Sequence, residues 1–173
     1  AEVPTVAAAP RAAASRAAAP WLSVGAALFA VAWGGNEFTP LLVMYRQIDH
    51  MSALTVNVLL GAYVLGIVPA LLLGGPLSDR YGRRPLFVPA PLIAVAGSAL
   101  LAVGAASAPL LFAGRVLSGV ALGLVMAVGT SWVKELSEAP FELDSADGRG
   151  ASRAALALTS GFALGAGVAA ALA

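Results

Sequence analysis

Five long apolar runs, separated by short segments that hold most of the charged residues, constrain this sequence more than any other feature. The runs cover residues 21–45, 52–77, 85–106, 109–133 and 154–173. Each has about 20 residues or more, enough for an α-helix to cross the roughly 30 Å hydrocarbon core of a bilayer. Because backbone groups find no water in lipid and the runs do not alternate, the sequence predicts membrane-spanning helices and not strands.

The composition agrees with a membrane environment and excludes several kinds of site. Hydrophobic residues make up 60% of the 173 residues and charged residues only 11%, whereas soluble domains carry about 25% charged residues. The chain has no cysteine and one histidine, His50, which lies between the first two runs. The sequence therefore predicts no metal or cofactor site, no catalytic Ser–His pair, no phosphate-binding loop and no nucleic-acid partner.

The ends of the runs predict an orientation. Residues 1–20 are rich in Ala and Pro and predict a disordered tail, with a targeting peptide as the alternative. Lys and Arg mark cytoplasmic loops, and one side of the predicted bundle holds nearly all of them: Arg11, Arg16, Arg80, Arg83, Arg84, Lys134, Arg149 and Arg153. We therefore expect a cytoplasmic N-terminus. Nine of the ten basic residues are Arg and Ala is abundant, which favours a bacterial source and the bacterial cytoplasmic membrane.

The segment 75–84 (GPLSDRYGRR) lies between the second and third runs. The cytoplasmic bias accounts for its three arginines but not for Asp79 or the glycines. Gly82 permits a left-handed backbone that ends a helix, and Gly75 permits the close approach of another helix. The order Gly-x-Leu-Ser-Asp-Arg-x-Gly-Arg-Arg resembles the signature between the second and third helices of major facilitator superfamily transporters.

This resemblance implies a polytopic helical bundle and a conformational gate. Members of the superfamily have twelve spans in two halves with the substrate site between them, so five spans imply an incomplete N-terminal half of six helices, a fragment whose C-terminal helices are missing. In the family the signature pairs with helix ends when the cytoplasmic side is closed. The resemblance implies a gate built from Gly75, Asp79, Arg80, Gly82, Arg83, Arg84 and two candidate partners, Glu135 and Arg153. The other acids between the fourth and fifth runs, Glu142 among them, predict a solvated linker.

Two charged residues, Glu37 and Arg115, lie inside apolar runs. A charge in the membrane costs at least about 2.5 kcal/mol and normally faces a cavity. At 1.5 Å per residue, Glu37 lies about 12 Å and Arg115 about 9 Å below the outer surface, so we expect them to pair across one cavity. Pro40 removes the helix bond to Asn36 beside Glu37 and adds a polar group to that cavity. The alternative is that both side chains extend to the headgroups.

Glycines on the fourth and fifth runs predict helix packing. Arg115, Gly119 and Gly123 share one helix face, at i, i+4 and i+8, which we expect to pack against neighbouring helices. The Arg-x-x-x-Gly pattern resembles the fourth-helix motif of proton-coupled superfamily members and implies that Glu37 carries a proton while Arg115 tunes its proton affinity. Gly161 and Gly165 match only the start of the antiporter motif Gly-x-x-x-Gly-Pro-x-x-Gly-Gly, so we interpret them as packing positions.

Together these features predict secondary active transport of a small molecule across a lipid bilayer, by proton-coupled export. Uptake of a sugar or metabolite, with or without protons, is the alternative within transport. A membrane scaffold that transports nothing would explain the hydropathy, but not Asp79, Gly82, Glu37 and Arg115 together. The substrate is not specified by these residues.

Overall fold

The computed structural model describes residues 19–36, 52–104, 107–142 and 148–172, and all regular structure in these segments is helical. Five helices follow one another in these segments: α1 (Pro20–Asn36), α2 (Ala53–Tyr81), α3 (Arg83–Val103), α4 (Ala108–Leu136) and α5 (Arg149–Leu172). The last four are long and apolar enough to cross a membrane. The prediction of an all-α membrane bundle is confirmed. Residues 1–18, where the tail was predicted, and residues 37–51 lie outside the described segments.

Two helices contain an irregularity. In α3, Val88 separates a short stretch, Arg83–Phe87, from the longer Pro89–Val103. In α4, the segment Val125–Gly129 is π-helical and lies between Ala108–Leu124 and Thr130–Leu136. A π-helical turn inserts one residue into the helix and changes which faces lie in register on either side of it.

The segment 75–84, which lies mostly beyond the predicted second span, is mostly helix. Helix α2 continues four residues past the predicted end at residue 77, to Tyr81. Only Gly82 leaves the helical conformation, with φ at +93°, and its N–H donates to the carbonyl of Ser78 at 2.9 Å. Hydropathy ended the predicted span where side chains become polar, but a helix continues into water until a residue such as glycine adopts a positive φ.

Helix α4 is the centre of the bundle. Its most apolar stretch is 56% buried, against 28% for α2 and 17% each for α3 and α5, and it contacts each of the other four helices. This position follows from small residues on more than one of its faces. Gly114 packs on Gly97 and Leu101 of α3, while Gly119 and Gly123 pack on α2.

The backbones of α2 and α4 are in direct contact along a row of small residues. On α2 these are Gly66, Ala70 and Gly74, and on α4 they are Gly119, Gly123 and Ala127. A Cβ added at Gly119 would lie 2.2 Å from the carbonyl oxygen of Tyr63, and one at Gly66 would lie 2.2 Å from that of Val116. Lipid tails are as apolar as the helix surfaces, so the hydrophobic effect does not drive helices together within a membrane. Close packing of small residues drives their association instead.

Helices α1 and α5 meet in the same manner. A Cβ at Gly161 would lie 2.5 Å from the carbonyl oxygen of Phe29, and one at Gly165 would lie 2.4 Å from that of Trp33. The two glycines are one turn apart on α5 and fit one turn of α1. Together with the α2–α4 contact, this packing brings polar groups of α1, α2 and α4 within reach of one another in the interior.

Candidate functional site

The most buried charged residue in the described segments is Arg115 on α4, which is 1% exposed. Its guanidinium carbon lies 4.0 Å from the centre of the Tyr63 ring on α2. The face of an aromatic ring carries negative electrostatic potential and attracts a cation, most strongly where water is excluded. Tyr63 therefore stabilises the buried charge without neutralising it.

Tyr63 also reaches helix α1. Its hydroxyl oxygen lies 2.7 Å from the position that a Cβ on Gly35 would occupy. On the other side, the Tyr63 backbone carbonyl lies against Gly119 of α4, one turn from Arg115. One residue of α2 thus contacts the helix before it and the helix that carries the buried arginine. The sequence analysis missed Tyr63, because an aromatic residue in an apolar run carries no charge that marks it; its hydroxyl at membrane depth was the available signal.

Asn36 joins α1 to α5. Its side-chain amide donates to the carbonyl of Phe162 at 3.0 Å, so the amide contributes to the contact that Gly161 and Gly165 make close. Glu37 follows Asn36 in the chain but lies outside the described residues, and so does Pro40. The pairing of Glu37 with Arg115 therefore stays a prediction.

A second group of polar side chains joins α2, α3 and α4 at one end of the bundle. We call Ser78, Asp79, Arg83 and Glu135 the charged end. The Arg83 guanidinium donates to Oε1 of Glu135 from Nε at 3.0 Å and from Nη2 at 2.7 Å. Its Nη1 lies 2.8 Å from Oδ1 of Asp79 and also donates to the Ser78 hydroxyl.

The charged end has a buried side, at Ser78, and an exposed side, at the two carboxylates. Ser78 is 2% exposed, and its hydroxyl donates to the carbonyl of Gly75 at 2.8 Å. The Arg83 side chain is 23% exposed, while Asp79 and Glu135 are 68% and 49% exposed. Ion pairs with so much water around them contribute little to stability, about 0–1 kcal/mol. Such a cluster can hold helix ends together and can also release them.

Three of the residues that the sequence assigned to the gate, Arg80, Arg84 and Arg153, take no part in the charged end. Arg153 does not reach the charged end; it forms a bidentate ion pair with Glu142 and lies 4.2 Å from the centre of the Trp21 ring. Arg80 lies over the ring of Tyr81 at 5.5 Å. Arg84 is exposed, and no carboxylate in the described segments pairs with it or with Arg80.

The close approach predicted for Gly75 is made by its neighbour. A Cβ added at Gly75 would meet no atom of the described segments within 4 Å, whereas one at Gly74 would lie 3.0 Å from the Cβ of Ala127. One residue along a helix turns the side chain by about 100°, so two adjacent glycines face different surroundings. The pattern alone did not distinguish them.

Glu142 was predicted to belong to a solvated linker, and the structure shows it in ion pairs with two arginines at the start of α5. Arg149 lies 3.4 Å from Oε1 of Glu142, and Arg153 binds both of its carboxylate oxygens. The hydrogen bond from Arg153 lowers the pKa of Glu142, and the positive charges of both arginines act in the same direction. Glu142 is therefore joined to α5 and, through Arg153 and Trp21, to α1.

An apolar groove of about 510 Å³ lies between α1 and α3, with α4 as its floor. Its walls include Val31, Gly35, Ala94, Ser98 and Ser118. The groove holds no charged lining residue, and no group of three metal-ligating acids, histidines or cysteines occurs in the described part of the chain. The polar chemistry of the described residues thus lies outside this groove, at Arg115–Tyr63, at the charged end and at Glu142 with its two arginines.

Comparison with known proteins places these features in a family context. The sequence profile of the Major Facilitator Superfamily matches residues 22–173. Solute carrier family 2, facilitated glucose transporter member 10 of Mus musculus is 37% identical to this chain over 86 residues. That alignment covers 50% of this chain and 16% of the mouse protein. No solved structure gives a significant match.

Proposed function

This chain belongs to the major facilitator superfamily, and we propose that it forms part of a secondary active transporter that moves a small molecule across a lipid bilayer by alternating access. The observation that carries the proposal is Arg115, a cation buried to 1% exposure among membrane-length helices. A buried intramembrane charge is costly and marks an ion or substrate path by default. A scaffold has no use for such a charge.

We propose that transport is coupled to protons through Glu37 and Arg115. Glu37 follows the end of α1 as described, and α1 reaches Arg115 through Gly35 and Tyr63. In one state of the transporter the Glu37 carboxylate pairs with the arginine and stays ionised. In the other state the pair separates and the carboxylate takes up a proton, because an isolated carboxylate in a low-dielectric site favours its neutral form.

The charged end is the proposed gate. Arg83 stands at the junction of α2 and α3 and binds Glu135 near the end of α4. Separation of these helix ends requires Arg83 to release Glu135. Asp79 is on α2, four residues before Arg83, and provides the guanidinium with a second carboxylate when Glu135 leaves. Gly82 supplies the backbone turn that places Arg83 between these two acids.

Several further features belong to the same proposal. The gate faces the cytoplasm and the N-terminus is cytoplasmic, as the distribution of Lys and Arg favours. The membrane is the bacterial cytoplasmic membrane, as the abundance of Arg and Ala favours. The transport unit includes helices beyond this chain, which build the rest of the substrate cavity. Export driven by proton entry is the proposed direction; the Arg-x-x-x-Gly pattern at Arg115 and Gly119 supports the proton coupling.

The test uses inverted membrane vesicles that contain the natural full-length protein. A pH-sensitive dye reports proton movement as cationic drugs and metabolites are added to energised vesicles. We expect a dye response with the native protein and no response with Glu37→Gln. Glu138→Gln is the matched control, because Glu138 is exposed and lies outside the apolar runs. A full response in Glu37→Gln vesicles would refute the role of Glu37.

The gate has a separate test in the full-length protein, with any cysteine outside this chain replaced by serine, since the chain itself has none. A single cysteine at Ser131, half-buried one turn before Glu135 on α4, is labelled from the side that carries the charged end. Asp79→Asn weakens the hold on Arg83, so we expect faster labelling and slower transport. Unchanged labelling together with unchanged transport in Asp79→Asn would contradict the gate.

Facilitated transport of a sugar is the second candidate, favoured by the name of the mouse relative. In proteoliposomes this function gives hexose counterflow without a pH gradient, and Glu37→Gln leaves counterflow intact. Proton-coupled export instead gives no hexose counterflow and a dye response that depends on Glu37. The two candidates are therefore separated by one substrate assay and one variant.

A further inference from the structure

The contacts of Tyr63 go beyond the proposed roles of Glu37 and Arg115. The ring lies under the Arg115 guanidinium at 4.0 Å. The hydroxyl oxygen lies 2.7 Å from the position of a Cβ on Gly35, and the next nearest ring atom, Cζ, lies 3.7 Å from it. The backbone carbonyl lies 2.2 Å from the position of a Cβ on Gly119. Three separate parts of one residue are therefore fixed by three contacts.

These contacts leave the Tyr63 ring little freedom to move. It cannot advance toward α1, because its hydroxyl already occupies the space beside Gly35. It cannot retreat with its backbone, because Gly119 allows α2 to lie directly on α4, and this backbone contact fixes the distance from which the ring reaches Arg115. Gly119, the glycine of the Arg-x-x-x-Gly pattern, thus fixes the position of Tyr63. Tyr63 in turn contacts Arg115, the arginine of the same pattern.

The chemistry of the ring suits a charge that has to remain available. A carboxylate at this position would neutralise Arg115 permanently. The ring attracts the guanidinium through its quadrupole and leaves the positive charge in place. A cation held in this manner can pair with a second, titratable acid and release it again.

We infer that Tyr63 is a positioning residue: it holds the Arg115 guanidinium at a fixed place between α1, α2 and α4, and Gly35 is required because the Tyr63 hydroxyl fills its side-chain space. The inference rests on the proposed role of Arg115 in transport and adds to it a residue from α2. The inference gives the Tyr63 side chain two separate functions. The ring holds the Arg115 guanidinium, and the hydroxyl packs against Gly35 of α1.

The first experiment compares Tyr63→Phe, which keeps the ring, with Tyr63→Leu, which removes it. Transport by the full-length protein is measured in proteoliposomes across a range of pH. We expect Tyr63→Phe to retain the native pH profile, and Tyr63→Leu to lose transport by about tenfold or more and to give the same altered profile as Arg115→Ala. A purely structural role would change the amount of folded protein but not the profile. The native profile in Tyr63→Leu would overturn the inference.

The second experiment tests the contact with α1 by compensation. Gly35→Ala places a methyl group against the Tyr63 hydroxyl and should impair transport. Tyr63→Phe removes that oxygen, so the double variant Gly35→Ala with Tyr63→Phe should recover. Gly34→Ala is the control, because its Cβ would come no nearer than 3.9 Å to the hydroxyl of Ser98. A double variant as impaired as Gly35→Ala, or a harmless Gly35→Ala, would overturn this part of the inference.

A third measurement reads the Tyr63–Arg115 contact without any assumption about transport. Thermal unfolding is measured for Tyr63→Leu, Arg115→Gln and the double variant in detergent. The two single shifts should sum to clearly more than the shift of the double variant, since both remove the same contact. Additive shifts would overturn the inference. If the shifts are non-additive but Glu37→Gln and Arg115→Ala leave proton coupling unchanged, the contact stands and only the proposed proton coupling fails.

Discussion

Arg83 and Arg115 are the same side chain placed in two opposite environments. Arg83 lies at the charged end with a side chain 23% exposed and binds two carboxylates. Arg115 lies in the interior at 1% exposure, on the face of an aromatic ring. Water screens the ion pairs of Arg83, which makes them weak and easy to exchange. Exclusion of water strengthens the contact of Arg115 with Tyr63.

The backbone is also packed more tightly around Arg115 than around Arg83. Next to Arg115, α2 and α4 are in contact at Gly66 and Gly119, so the helices cannot slide without a clash. Near Arg83, Gly75 has open space and Gly82 adopts a positive φ. The interior of the bundle is therefore built to stay fixed, and the charged end is built to change. Under the proposed alternating access, this difference favours a motion of these helices that begins at the charged end.

The largest expected effect comes from a methyl group placed in the fixed region. Gly119→Ala puts a Cβ 2.2 Å from the carbonyl oxygen of Tyr63, a distance at which the helices must separate. We expect a loss of stability of about 3 kcal/mol or more, at the upper end of the cost of overpacking. The measurement is the midpoint of thermal unfolding in detergent, together with the yield of folded protein.

The matched control is Gly75→Ala, on α2, the helix against which Gly119 packs, but at a position that faces open space. Alanine is the better helix former by up to about 1 kcal/mol, so this variant should be as stable as the native protein or slightly more stable. If Gly75→Ala were as destabilising as Gly119→Ala, the contrast between a fixed interior and an open end would be wrong.

The next largest effect distinguishes the two arginines in transport. Arg115→Ala removes the buried cation and should lower transport by about tenfold or more, equivalent to at least about 1.4 kcal/mol in the barrier. Arg83→Ala should lower it less, because Asp79 and Glu135 remain solvated without their partner. Substrate flux in proteoliposomes, normalised to folded protein, measures both. A larger loss in Arg83→Ala would reverse the comparison.

The two regions also differ in how far sequence could predict them. Asp79 lies near the end of α2 and Arg83 begins α3, on either side of Gly82, and Glu135 is an acid near the end of α4. The resemblance of the segment 75–84 to the family signature named all three residues in advance. The contacts of Tyr63 and the row from Gly66 to Gly74 were missed. In an apolar run every residue is compatible with lipid, and only the packed partner helix decides which face is buried.

Helix ends and loop contacts were harder to predict for a different reason. Hydropathy marks where side chains leave the apolar layer, whereas Gly82 decides where α2 ends. Arg153 was assigned to the charged end because it is basic and on the correct side of the bundle. Its partner, Glu142, follows the end of α4, and no local sequence pattern pairs these two residues.

A smaller effect is expected from the ion pairs at the charged end. Glu135→Gln removes one carboxylate from Arg83 and should lower stability by no more than about 1 kcal/mol. In 1 M salt, where the screening length is about 3 Å, the difference from the native protein should largely disappear. Thermal unfolding at low and high salt measures it. Glu138→Gln should show no difference at either salt concentration, and a salt-independent loss in Glu135→Gln would show that the pair is effectively buried.

The smallest effect is expected at Glu142 and depends on pH. Its pKa is lowered below the ordinary value of 4.5, chiefly by the hydrogen bond from Arg153. A carboxylate with a lowered pKa in the folded state contributes stability that is fully present above the ordinary pKa and is lost as the pH falls through the folded pKa. Glu142→Gln should therefore be less stable than the native protein at pH 7, and the two unfolding midpoints should converge as the pH falls below 4.5 and through the lowered folded pKa. Arg115 has no part in this transition. In an Arg115→Ala background, Glu142→Gln should therefore change the unfolding midpoint with the same dependence on pH. A gap between native protein and Glu142→Gln that persists unchanged to pH 3 would mean that Glu142 acts by packing and not by charge.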